Sequence, residues 1–146
     1  MRRFIAICGV VFLLAGCAQK ASFENLADGK CAGAVADSVN KHVAGQIDAL
    51  AENEWELAHS FASENFQSNV SIEDFALIIS AQYPMLIKNT GYQFNECTVA
   101  GSTITQEVSV TSGEQVFNLA YKLTVNGSIL GIESAVISKV ASRVNA

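Results

Sequence analysis

Apolar residues recur at helical spacing through the first half of the chain and at alternate positions through the last third. Val35, Val39, Val43, Ile47 and Leu50 fall on one stripe and predict an amphipathic helix over 34–51. Asn53, with Glu56 three residues on, has the form of a capping box and opens a second helix. Its expected buried face holds Trp55, Leu57, Ala58, Phe61 and Ala62, with Phe66 following in a short turn. Ser71 with Asp74 opens a third helix, in which Phe75, Ile78 and Ile79 lead to Gln82 and the Tyr83-Pro84 step. Pro84 disfavours helical backbone at the residue before it and so ends that helix.

From Gly91 the period changes to two. Tyr92, Phe94, Glu96 and Thr98 share one face of a first strand, and Ile104, Gln106, Val108 and Val110 one face of a second. Phe117, Leu119, Tyr121, Leu123 and Val125 alternate in a third. Asn126-Gly127 is a strong two-residue hairpin signal. That turn sets Leu123 opposite Leu130, Tyr121 opposite Ile132 and Leu119 opposite Ser134 in a fourth strand. A Ser112-Gly113 turn sets Val108 opposite Phe117, Gln106 opposite Leu119 and Ile104 opposite Tyr121. Lys122, Asn118, Thr124 and Glu133 then fall on the other, solvated face. Helices first and a meander after predict an α+β domain: N-terminal helices packed on a curved four-stranded antiparallel sheet, a cone with a pocket.

The first residues read as an address. Arg2 and Arg3 precede an apolar run from Phe4 to Ala15, too short for a bilayer span of about 20 residues but suited to a secretory signal. The run ends in Leu14-Ala15-Gly16-Cys17, which resembles a bacterial lipobox. That resemblance implies removal of residues 1–16, a diacylglyceryl thioether on the Cys17 sulfur and a fatty acyl group, typically palmitate, on its amine. With Ala18 rather than Asp after the Cys, it also implies outer-membrane sorting with the domain facing the periplasm. Residues 17–33 are expected as a lipidated tether and 34–142 as the domain.

Losing that segment changes the charge. The whole chain carries −5, and without Arg2 and Arg3 only 7 of its 9 basic side chains face 14 acids. Nucleic acid is excluded as a partner, because phosphate neutralisation needs clustered Lys and Arg. Two His build no ordinary zinc site, and no motif calls for a cofactor. Cys8 leaves with the signal and Cys17 is lipidated, so Cys31 and Cys97 remain. An even pair in an oxidising compartment predicts a disulfide.

Over residues 35–140 the chain resembles the nuclear transport factor 2-like superfamily, the fold of ketosteroid isomerase, scytalone dehydratase and the cyclase SnoaL. More narrowly it resembles the domain of unknown function 4864 family. Ile47-Asp48-Ala49-Leu50, Phe61-Ala62-Ser63 with Phe66-Gln67, Tyr83-Pro84, and Phe117, Leu119, Ala120 and Tyr121 carry the resemblance. It implies a cone-shaped fold and no catalytic residue.

On the inward face of that cone, Gln106 and Ser134 would flank Leu119. If three residues, Ala100–Ser102, join the first two strands, Glu96 faces Gln106, close to the Tyr121 hydroxyl. A carboxyl there would have its pKa raised by desolvation and could act as a general base. If only two residues join them, Glu96 is thrown to the outer face. Trp55 is a further candidate for the pocket wall, although a core position suits it as well. His42 and His59 are expected at the surface or boundary of their helices. A non-enzymatic module binding a small apolar ligand or a periplasmic protein is the favoured reading. The alternative is a small cofactor-free isomerase, dehydratase or cyclase. A homodimer through the sheet is open.

Overall fold

The structure, a computed structural model, describes residues 23–142. The expected signal segment, residues 1–16, and the expected lipidation site at Cys17 lie outside the described residues. Helices come first: α1 (Gly33–Ala51), α2 (Trp55–Ser60), α3 (Glu64–Asn69), α4 (Ile72–Gln82) and α5 (Pro84–Ile87). An antiparallel meander follows: β2 (Gly91–Ala100), β3 (Thr103–Ser112), β4 (Gln115–Asn126) and β5 (Ile129–Ser142). A two-residue strand, β1 (Gly29–Lys30), adds to the free side of β2, so the order is β1-β2-β3-β4-β5. The expected α+β layering of helices on an antiparallel sheet is present, with five strands rather than four. The fifth falls in the segment read as a tether, where the Cys31–Cys97 disulfide (Cα–Cα 5.4 Å) and the Cys31 N–H on the Cys97 carbonyl hold it against β2. Among the described residues no helix is long and apolar enough to cross a membrane.

The valine stripe of α1 is the spine of the core. Val39, Val43, Ile47 and Leu50 are fully buried, and Val35 nearly so. Each such side chain contributes about 2 kcal/mol by leaving water. Val108, Val110, Leu119, Tyr121 and Leu123 meet this spine from the sheet.

Three helical details differ from expectation. Asn53 ends α1 instead of opening α2. It sits at φ 58, its N–H on the Leu50 carbonyl and the Glu54 N–H on the Ala49 carbonyl, which is a Schellman cap with Asn in the left-handed position. Glu54 then precedes α2, and no side chain caps it. On α2, Leu57 is 48% exposed while His59 is buried, the reverse of the expected pattern. A single six-residue helix turns only so much surface inward, and the ring nitrogen of His59 is satisfied there by the Val70 carbonyl at 2.7 Å. Phe66 lies in a helix rather than a turn, because Ser63 accepts the Phe66 N–H and caps α3. Ser71 caps α4 as the sequence indicates, accepting the Asp74 N–H at 3.1 Å.

In the sheet, both hairpins placed from sequence lie two residues off. The loops are Gly113-Glu114 and Gly127-Ser128, so Val110 opposes Phe117, Gln106 opposes Tyr121 and Val125 opposes Leu130. Gly127 takes φ 64 at the first loop position, the place for glycine in a type II′ turn. A slip of two leaves each side chain on its face, so the inward set of β3 and β4 is as expected. Bulges do change faces. β2 carries one between Phe94 and Cys97, and β5 has two, opposite the Asn118/Leu119 and Lys122/Leu123 steps.

The junction of α2 and α3 crosses the free edge of β5. Ile132 gives its N–H to Phe61 and takes the Ser63 N–H on its carbonyl, making a parallel bridge at Ala62. Gly131 permits the approach, since a Cβ there would stand 2.5 Å from the Ser63 Cα.

Candidate functional site

Between the helices and the β4–β5 half of the sheet lies a cavity of about 170 Å³. Phe66 of α3, Phe75, Ile78 and Ile79 of α4, and Tyr83 and Leu86 at α5 form its helical wall. Tyr121 of β4 and Ile132–Ala135 of β5 form the sheet wall, with Gln46 of α1 and Ala62 completing it. The aromatic side is ordered by ring packing: Phe66 and Phe75 meet edge to face at 6.0 Å, and His59 backs Phe75 at 5.5 Å.

Polar groups on this lining divide by whether they are engaged. The Tyr83 hydroxyl donates to the Ala135 carbonyl at 2.6 Å, tying α4–α5 to β5. Gln46 donates its amide to the Ala58 carbonyl at 3.2 Å. Glu133 is the extra residue of a β5 bulge, and its carboxylate takes the Thr124 hydroxyl at 3.4 Å. The Tyr121 side chain is fully buried, and its hydroxyl has no hydrogen-bond partner in the protein. Burial, followed by the neighbouring Tyr83 and Tyr92 phenols, holds its pKa far above the ordinary tyrosine value. Tyr121 is therefore a neutral donor with nothing to donate to. No Lys, Arg or His is among the cavity-lining residues, and the described residues contain no His/Cys/Asp/Glu group that could hold a metal.

Of the five residues picked as a pocket from sequence, the structure brings two to the cavity, Tyr121 and Ser134. Ser134 does not project inward as expected. The bulge at Glu133 shifts the alternation, so Ser134 pairs with the exposed Lys122 and only borders the cavity. Glu133, expected on the solvated face, borders it for the same reason.

Gln106 is fully buried directly opposite Tyr121, with its amide turned toward β2. It donates to the Glu107 carbonyl at 2.9 Å and lies 3.4 Å from the Asn95 and Glu96 carbonyls, filling the β2 bulge. Its role there is structural: it satisfies carbonyls that the bulge takes out of the ladder. Glu96 is exposed. Two residues, Gly101-Ser102, join β2 to β3, and the bulge sets Asn95 and Glu96 together opposite Glu107 on the outer face. Trp55 is half-buried at the start of α2, beside Glu54, Glu56 and Leu57 and apart from the cavity.

His42 and His59 serve as backbone clamps. His42 gives its Nε2–H to the Phe61 carbonyl at 2.8 Å and meets the Phe61 ring edge to face. Because a carbonyl only accepts, the bond selects the Nε2–H tautomer. Desolvation lowers the His42 pKa, against the smaller raising effect of that bond.

Phe66, Tyr83, Leu86 and Gln46 are among the lining residues that sequence reasoning missed. Their signal was present in part: Tyr83-Pro84 marks a corner where a side chain must leave the helix axis. Which wall that corner meets depends on the register of β5.

The family model of a domain of unknown function, DUF4864, matches residues 34–141 of the chain. No curated protein and no solved structure matches it.

Proposed function

The chain belongs to the family of the domain of unknown function DUF4864, and from that premise we propose that it is a lipid-anchored envelope protein whose cavity binds a small, mostly apolar ligand. One observation carries the binding reading: a cavity of about 170 Å³ lies between helices and sheet, walled mostly by aromatic and branched aliphatic side chains. Binding rather than turnover is favoured, because Glu96, the carboxylate picked as a base, stands on the outer face of β2.

Helices on a curved antiparallel sheet around such a cavity support a nuclear transport factor 2-like fold. The Leu14-Ala15-Gly16-Cys17 lipobox supports a diacylglyceryl anchor on Cys17 and an outer-membrane, periplasm-facing location. The Cys31–Cys97 disulfide agrees, since such bridges persist in oxidising compartments.

Native mass spectrometry of residues 17–146 with Cys17→Ser, exported to the periplasm, tests the binding reading. The expected result is an adduct that is lost on denaturation. A bare mass, with no small apolar probe retained, would overturn it. Labelling with an alkyne fatty acid tests the anchor. Label that persists in the Cys17→Ser full chain would refute attachment at that residue.

A further inference from the structure

The way the N-terminal chain joins the sheet bears on which part of the domain meets the bilayer, an inference that rests on the lipid-anchor reading above. We propose that the sheet end carrying the Gly101-Ser102 and Gly127-Ser128 loops faces the lipid surface that holds Cys17, and that Ile129 enters its headgroup layer.

Attachment comes first. The Asp28 carboxylate accepts the Gly101 N–H at 2.8 Å, and Gly29 and Lys30 pair with Val99 and Thr98. The Cys31–Cys97 bridge fastens the next step. The chain therefore enters the domain at the β2–β3 hairpin. Register brings the β4–β5 hairpin to the same end, since Thr103 opposes Thr124, close to the Gly127-Ser128 loop. At the opposite end lie the Gly113-Glu114 hairpin and Ser142, paired with Gln115.

Reach disfavours that opposite end. About eleven residues separate Cys17 from Asp28, a span of at most about 40 Å when drawn straight. β4 alone, with 12 residues, is about 40 Å long. Phe23 and Leu26 pack against the core, and Glu24-Asn25 forms a turn, so part of the connecting chain is already spent on the domain. What is left is too short to stand the domain on its Gly113-Glu114 end.

Surface chemistry selects the tip. Ile129 is 70% exposed, the most exposed large apolar side chain among the described residues. Asn126, Gly127 and Ser128 beside it carry no charge, and neither do Ala100, Gly101 and Ser102 at the neighbouring hairpin. Asp28 has its carboxylate engaged by Gly101. Glu64 follows Ser63, which packs on Gly131 two residues down the strand, and so stands beside the hairpin and not at its tip. Leu77 is 68% exposed as well, but it lies one helical turn from Glu73 and Asp74, whose carboxylates resist leaving water. An apolar side chain on an uncharged tip suits the headgroup boundary, where apolar groups enter to about 5–10 Å.

The lipidated full chain in nanodiscs of phosphatidylethanolamine and phosphatidylglycerol, doped with a gadolinium-chelating lipid, tests this. Methyl resonances are the readout, because paramagnetic broadening falls steeply with distance from the headgroups. Ile129 and Ala100 are expected to broaden, while Val140 and Ala141 near the other end keep their linewidths. Val140 is itself 49% exposed, so access to solvent does not separate it from Ile129. In Ile129→Asp, the Ala100 broadening is expected to fall about twofold or more, since a carboxylate resists desolvation. The exposure of Ile129 means that the substitution removes little packing.

Val140 broadened as strongly as Ile129 would overturn the orientation. So would a disc-bound domain in which neither broadens. Ala100 broadening unchanged in Ile129→Asp would overturn the contact at Ile129. A chain that does not elute with the discs would bring down the anchor reading itself, and this inference with it.

Discussion

Replacing both Cys31 and Cys97 by Ala removes a bridge that spans 66 residues and encloses all five helices. In the chain-entropy treatment, closing a loop of that length restricts the unfolded chain by about 4 kcal/mol at 25 °C. The folded state loses little besides, because the Cys31 N–H keeps its bond to the Cys97 carbonyl and β1 keeps both of its pairs with β2. Nearly the whole effect should therefore reside in the unfolded ensemble. Urea unfolding of residues 17–146 with Cys17→Ser, followed by circular dichroism, should show a loss of about 4 kcal/mol. For a domain of this size, the melting midpoint should fall by roughly 15 °C. Reduction of the unsubstituted bridge should reproduce the loss. A change below about 1 kcal/mol would refute the reasoning, because it would mean that the unfolded chain is already compact across this span.

Gly131→Ala should destabilise by about 1–3 kcal/mol, since the new methyl meets the Ser63 backbone and neither chain has room to give. Urea titration reads this, and a neutral result would show that the α2–α3 crossing is not tight. Asn53→Gly should be neutral or slightly stabilising and Asn53→Ala should cost about 1 kcal/mol, because only the second forces a Cβ without a compensating amide into the left-handed region. Equal melting temperatures for the two would argue against the Schellman cap. His42 has a folded pKa below its unfolded value of 6.5, so the unfolded chain binds the extra proton first. Its stabilisation is present above pH 6.5 and is lost as pH falls from there through the folded value. His42→Gln should flatten stability across that acid window, and an unchanged slope would rule out this linkage.

Much of the architecture was legible because periodicity reports faces and not partners. The stripe from Val35 to Leu50 placed α1 to within a residue, and the alternation from Ile104 to Val110 named the buried side of β3. Both hairpin registers slipped by two without moving a side chain through the sheet. The bulges had no such protection. Each inserts one residue, and nothing in Asn95-Glu96 or Glu133 marks the insertion, so Ser134 was assigned to a face it does not occupy, while Glu96 takes the outer face that the two-residue connection implies and parts from Phe94 at the bulge. Local chemistry misled at Asn53, where a residue suited to opening a helix is equally suited to closing one by the left-handed route. The cavity was half legible: Tyr121 followed from alternation, whereas Phe66, Tyr83 and Leu86 depend on how three short helices turn across β5.

The two bulges of β5 also bear on solubility. They divide its pairing with β4 into three blocks, 129–132, 134–137 and 139–142, each of four residues. The first block is occupied on its far side by the Phe61–Ser63 crossing. A foreign strand approaching the remaining edge meets two short runs of unpaired amides, out of phase with one another, with Lys139 beside the second break. Straight strand-to-strand association needs a long flat ladder, and a charged, interrupted edge denies it. Val136 and Val140 are 53% and 49% exposed on this strand, and would otherwise make its edge adhesive. The same irregularities that bring Glu133 to the cavity rim thus keep the last strand from recruiting neighbours.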